Sequence, residues 1–217
     1  MEYKINLRGL FIFETKSLIG RIFFNRKPRL YDGKNYLNLG CGPSYTQGYI
    51  HADFFNRFKF WKKNIPKLEW QLDLRYPLNC KDEVFDGIFT EHTLEHLYPS
   101  HVKALLKELH RTLKTNSIIR ITVPDIEKYI MFYNRIYDGY DVEDFKKKYK
   151  TGCSAIRGVT QNFLHFSTWD FEELKIYLKE AGFKNVKKMS FGVTQDSNLK
   201  LDRKSRSYES LYIEAMK

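Results

Sequence analysis

The chain has 217 residues, 42% of them hydrophobic, and its 37 Lys and Arg outweigh 26 Asp and Glu to give a net charge of +11. That length and apolar content suffice for one domain with a substantial core, and no Pro/Gly/Ser-rich linker divides it. Glu14 and Lys16 interrupt the first apolar patch, which argues against a signal peptide or a membrane span of about 20 residues.

Three scattered cysteines, Cys41, Cys80 and Cys153, have neither metal-type spacing nor an even count. Reduced thiols and cytoplasmic residence are therefore expected.

Residues 7–24 carry Leu10, Phe11, Phe13, Leu18, Ile19, Ile22, Phe23 and Phe24, enough apolar surface for a helix that packs on the body of the domain. Arg8, Lys16, Arg21, Arg26, Lys27 and Arg29 flank the same residues, so the alternative is peripheral membrane contact through this basic N-terminal segment.

Residues 36–43, Tyr-Leu-Asn-Leu-Gly-Cys-Gly-Pro, read as a buried strand that breaks into Gly40 and Gly42, where positive φ is allowed and a ligand can lie against bare backbone. Residues 50–54 read as a second strand reaching Asp53, placed as an acid that holds ribose hydroxyls. Residues 70–74 read as a third, reaching Asp73. Residues 84–90 form a fourth, followed by Glu91-His92-Thr93-Leu94-Glu95-His96-Leu97 and a helix with Val102, Leu105, Leu106, Leu109 and Leu113 at helical spacing. Residues 117–123 form a fifth strand stopped by Pro124. A helix follows at 168–181.

Asn-Leu-Gly-Cys-Gly-Pro, Ala-Asp, Asp-Leu-Arg-Tyr-Pro-Leu, Phe-Asp-Gly-Ile-Phe-Thr-Glu-His-Thr-Leu-Glu-His-Leu and Val-Pro-Asp-Ile-Glu, in this order, resemble the class I S-adenosylmethionine-dependent methyltransferases. The likeness is nearest to a small bacterial-type subgroup, with strong motifs over 36–123. It implies an α/β Rossmann-like fold: a seven-stranded, mostly parallel sheet whose antiparallel last strand, 208–215, lies between the fifth and a sixth at 183–191. It also implies S-adenosyl-L-methionine as cofactor. Gly40, Cys41 and Gly42 would pass under its methionine and ribose portion, Asp53 would accept the ribose hydroxyls, and Asp73 the adenine amino group with Leu74 beside the ring. Thr90, Glu91 and His92 would face the sulfonium. Glu91 capping the following helix is the plainer alternative.

Two departures from the family pattern stand out. Asn38 replaces an acidic residue common among relatives, and only seven residues, 43–49, separate Gly42 from Ile50. A crossover needs about ten to twelve residues or more, so the first crossover helix is expected to be reduced or absent, with residues 7–24 covering the bared face. The expected organisation is a single methyltransferase domain over 1–217, with an N-terminal helical, basic segment at 1–35 and an acceptor-binding insertion at 125–167. Tyr129, Phe132, Tyr133, Tyr137, Tyr140, Phe145 and Tyr149 in that insertion suit either sugar stacking or the core of a helical lid.

The positive surplus gathers at 59–67, 146–150 and 184–206, a surface that attracts polyanions in general. The nucleic-acid base-methylation motifs are missing: Thr90-Glu91-His92-Thr93 stands where an Asn/Asp-Pro-Pro-aromatic run would be, and neither Cys80 nor Cys153 sits in a Pro-Cys pair. The expected reaction is methyl transfer to an oxygen or nitrogen of a small-molecule or glycan acceptor. An RNA methyltransferase and a non-catalytic member of the fold are the alternatives. For an oxygen acceptor, His92 and then His165 are the candidate bases. His92 and His96 could also be helix-face residues or a zinc pair, but the sequence supplies no third ligand and no metal is expected.

Overall fold

The computed structural model describes residues 7–55, 68–136 and 142–217. The lysine cluster at 59–67 and the rings of Tyr137 and Tyr140 lie outside these residues.

The chain runs α1 (Leu7–Phe23), β1 (Tyr36–Leu39), β2 (Tyr49–Asp53), β3 (Trp70–Gln71), β4 (Phe85–Glu91), α2 (Pro99–Thr112), β5 (Leu113–Pro124), α3 (Ile126–Tyr133), α4 (Glu143–Lys148), α5 (Gly152–Gln161), α6 (Phe171–Glu180), β6 (Lys184–Met189) and β7 (Ser210–Met216). The strands form one sheet in the order β3-β2-β1-β4-β5-β7-β6, with β7 antiparallel to both neighbours and the β1–β5 pairs parallel. This is the expected seven-stranded topology. Between β1 and β2 the described chain has turns and no helix, as the seven-residue spacing required.

Local chemistry accounts for the ends of these elements. Pro99 opens α2, Asp170 caps α6 by accepting the Glu173 N–H at 2.8 Å, and Thr151 with Ser154 closes a capping box on α5. Leu37, Leu39, Ile50, Ile88, Leu105, Leu106, Leu109, Ile119, Ile121 and Leu174 are buried in one core between sheet and helices. A second cluster, Tyr129, Phe132, Phe145, Ala155, Val159 and Tyr208, holds α3, α4 and α5 together. Those rings of the 125–167 segment are buried against one another, while Tyr133 remains exposed.

Three boundaries differ from expectation. β5 starts at Leu113, because Leu113 already pairs with Phe85 and leaves the helix. β3 ends at Gln71, because Asp73 Oδ1 accepts the Arg75 N–H at 3.0 Å and closes a side-chain turn. The segment after β4 does not begin a helix: His92 has φ +52° and only a single 3-10 turn, Leu94–His96, precedes Pro99.

The packing of α1 also differs. Its buried residues are Ser17 and Gly20 rather than its large apolar ones. A Cβ on Gly20 would overlap the Phe55 ring, so the glycine is what allows close approach. Leu7, Leu10, Phe11, Leu18, Ile22 and Phe23 are each more than half exposed. Small residues admit the helix to the β2–β3 end of the sheet, and the bulky ones are left facing outward.

Candidate active site

β1 and β4 are adjacent parallel strands from which the chain departs in opposite directions, and ligands of open α/β sheets bind in the crevice beyond such a switch point. A hollow lies there, lined by Asn38, Gly40 and Cys41 from the β1 side, Phe89 and Glu91 from β4, and Leu201 and Arg203 from the segment before β7.

The two glycines differ in what they do. Both have positive φ, +66° at Gly40 and +55° at Gly42. A Cβ on Gly40 would overlap the Thr93 side chain, so Gly40 serves packing; Gly42 has nothing within 4 Å of its Cβ position and faces open space. Asp53 shapes this turn from β2: its Oδ2 accepts the Gly42 N–H at 2.7 Å and its Oδ1 the Phe54 N–H at 2.6 Å. Each carboxylate oxygen keeps further acceptor capacity. Burial, with Asp53 adding to it, pushes the Cys41 thiol up to about 12, and burial pushes Cys80 up to about 11, so neither is a thiolate nucleophile near neutral pH.

Glu91 ends β4 inside the hollow and caps no helix. Its carboxylate pairs with the Arg203 side chain and accepts the Arg203 backbone N–H at 2.9 Å. Arg203 lies 112 positions away, and nothing local in the sequence marks it. Its segment is held by Arg120, fully buried on β5, which pairs with Asp202 at 2.6 Å and Glu214 at 2.8 Å and donates to Val193 O at 2.8 Å.

Gly42 and Asp53 border the hollow at the turn after β1 without lining it, and Asp73 and Leu74 do not line it either. The Asp73 carboxylate is turned to α1: it accepts from Ser17 Oγ at 2.6 Å and pairs with Arg75 at 2.7 Å, and Arg75 continues to Glu14 at 2.6 Å. Burial would raise this carboxyl, but Arg75 and Ser17 outweigh it and hold it below its ordinary value.

Neither candidate base is brought to the hollow. His92 is buried, with Nε2 2.8 Å from Ser210 Oγ; the Ser210 hydrogen goes to Arg206 O, so the histidine donates. Its Nδ1 stands 3.3 Å from Glu95 Oε1. His165 points Nδ1 at Val159 O, 2.8 Å away, and burial lowers its pKa, which keeps the ring neutral.

Residues 37–121 match the methyltransferase-domain family. None of the curated proteins searched matches the chain. Among solved structures, a SAM-dependent methyltransferase from Archaeoglobus fulgidus is similar over 98% of this chain and 100% of its own, at 20% identity and TM-score 0.52. A SAM-dependent methyltransferase from Thermotoga maritima is 17% identical, with 97% and 91% covered and TM-score 0.49. Haemonchus contortus phosphoethanolamine N-methyltransferase 2, solved with S-adenosyl-L-methionine, is 12% identical, with 94% of this chain and 52% of its own covered and TM-score 0.47. With the sheet order and the family match in agreement, the chain has the Rossmann-like fold of these structures, and residues 37–121 are a methyltransferase domain. The match is to an enzyme domain, a methyltransferase.

Proposed function

We propose that the enzyme moves a methyl group to an oxygen or nitrogen of a small-molecule or glycan acceptor, with the cofactor held in the hollow between β1 and β4. The open space at Gly42, over a turn fixed by Asp53, is the observation that carries this reading. Gly40 and Cys41 supply the floor, with the open turn at Gly42 beside them, Asp53 under that turn accepts ribose hydroxyls through its remaining lone pairs, and Glu91, paired with Arg203, stands at the cationic end.

S-adenosylmethionine supplies an electrophilic methyl on a good leaving group, so the protein's work is chiefly alignment and exclusion of water. Exposed rings near the end of β4, Tyr98 and Phe166 with centroids 4.7 Å apart and Phe163 nearby, offer faces for a sugar or other ring. His92, committed to Ser210, acts as a positioning residue for the strand end that carries Glu91. Calorimetry with S-adenosylhomocysteine tests the site: wild type binds, Asp53→Ala weakens binding about tenfold or more, and absence of binding by wild type refutes the reading.

The RNA alternative gains little from the surface charge. Lys146 and Lys147 pair with Glu143 and Asp144, Lys148 with Glu209 and Lys188 with Glu127, while Lys184 and Lys187 belong to the edge strand β6, where lysines block sheet extension. RNA binding that falls steeply with salt would favour it over the present reading.

We infer further that α1 lies on an anionic membrane surface on the cytoplasmic side. Its exposed Leu7, Leu10, Phe11, Leu18, Ile22 and Phe23 adjoin exposed Arg8, Arg26, Lys27 and Arg29. Among the described residues no helix is long and apolar enough to cross a membrane. Co-sedimentation with phosphatidylserine vesicles, lost in Phe11→Glu/Phe23→Glu, is the expected result; equal sedimentation with neutral vesicles or of the variant refutes it.

A further inference from the structure

We propose that Glu95, His96 and His165 form a binding site for one divalent transition-metal ion of the zinc class. A carboxylate oxygen and one ring nitrogen from each histidine lie within 4.8 Å of one another. Two elements 69 or more positions apart in sequence supply them: the 3-10 turn after β4 and the 162–167 loop before α6. Sequence spacing offered His96 a partner in His92; the fold supplies His165 and Glu95 instead.

Three observations point to a cation. First, Glu95 is 1% exposed and neither carboxylate oxygen has a hydrogen-bond partner among the described residues. An ionised group buried in that state is costly unless a counter-charge joins it; His92 Nδ1 stands 3.3 Å away, and when the ring is neutral its proton is on Nε2 toward Ser210, so Nδ1 has no hydrogen to give. Second, both imidazoles have their tautomer fixed from behind. His96 Nδ1 lies 3.3 Å from Leu164 O and His165 Nδ1 2.8 Å from Val159 O. Carbonyls only accept, so each Nδ1 carries a proton and each ring, when neutral, keeps a lone pair at Nε2, the arrangement that metal-binding histidines use. Third, the scaffold is already assembled, because the backbone N–H groups of Phe166 and Ser167 both donate to Glu95 O, at 2.8 and 3.2 Å.

Two nitrogens and one carboxylate oxygen suit zinc, with a fourth position left for water. Ligands about 2.0–2.2 Å from a tetrahedral ion stand roughly 3.4 Å apart, so atoms now within 4.8 Å close by at most about 1.4 Å on binding. His96 is exposed and opens the site to solvent. A bound ion would clamp the 162–167 loop, with its Phe163 and Phe166 rings, onto the end of β4.

The test is titration of the metal-free full chain with Co²⁺, read by ligand-field absorption, and with Zn²⁺, read by calorimetry and thermal melting. One equivalent is expected, with the intense visible bands of a four- or five-coordinate ion and a raised Tm. His96→Ala and His165→Ala, both near the surface, should remain folded by circular dichroism. Each should weaken binding by more than the ~10–100-fold typical of losing an outer hydrogen-bond partner of a metal ligand. His110→Ala, on α2 away from the cluster, should bind as wild type. Absence of stoichiometric binding by wild type overturns the proposal, as does unchanged binding by both His96→Ala and His165→Ala. Because cofactor binding is not the readout, this outcome is independent of the methyltransferase reading.

Discussion

Asp73 Oδ2 accepts the Ser17 hydroxyl at 2.6 Å, a bond across 56 sequence positions that fastens α1 to the end of β3. The same carboxylate holds Arg75, and the Arg75 guanidinium reaches Glu14 one turn earlier on the helix. An aspartate that sequence reasoning placed against adenine thus anchors a helix.

Asp73→Asn should release α1 while leaving cofactor affinity within about threefold. A hydrogen bond to a charged group contributes roughly 1.5–3 kcal/mol, and the loss should appear as faster proteolysis within residues 7–23. Calorimetry with S-adenosylhomocysteine checks the other half. If Asp73→Asn weakens binding as much as Asp53→Ala does, Asp73 belongs to the cofactor site after all.

Gly20→Val should destabilise the fold by about 1–3 kcal/mol, the usual range for over-packing, because its side chain meets the Phe55 ring. A denaturant midpoint no lower than wild type would show that α1 is not held at that contact.

Acid should loosen the same attachment. Burial opposes ionisation of Asp73, but Arg75 and Ser17 prevail and its native pKa lies below the ordinary value of about 3.9. A depressed carboxylate contributes stability that is fully present above the unfolded pKa and is lost as pH falls through the native one. The urea midpoint should therefore change little above about pH 5 and fall below about pH 4, with a shallower fall in Asp73→Asn.

Arg120→Met should be severely destabilising. It leaves Asp202 and Glu214, both almost fully buried, without their counter-charge, a loss of about 3–5 kcal/mol. Because Arg120 also holds Val193 O and thereby the segment that carries Leu201 and Arg203, S-adenosylhomocysteine affinity should drop under conditions where the variant is still folded. Wild-type affinity in a folded Arg120→Met protein would detach that segment from the site.

For His92, Asn is the informative replacement, since its amide can still donate to Ser210 Oγ. His92→Asn should keep most of kcat and the wild-type KM, whereas His92→Ala should lower kcat through a displaced β4 end. Loss of turnover in both variants, with a flattened pH–rate profile, would restore His92 as the proton acceptor.

Sequence was sufficient wherever the determining forces act locally. Alternation of apolar runs with turns located the first five strands and the family resemblance the last two, and the seven residues between Gly42 and Ile50 pointed to a first crossover helix reduced or absent. Gly42 could be read as an open turn because its backbone conformation demands little but the absence of a side chain.

Local signals were insufficient where a side chain chooses among partners brought together by folding. Asp53 and Asp73 look alike in sequence, yet one accepts from the glycine turn and the other from Ser17. Arg203 reaches Glu91 and His165 reaches Glu95 only because β4 lies beside the returning chain. For α1, hydrophobicity alone pointed to its large residues as the packing face. Steric approach decided for Ser17 and Gly20, because only small side chains let that helix meet Phe55 and the Asp73 carboxylate.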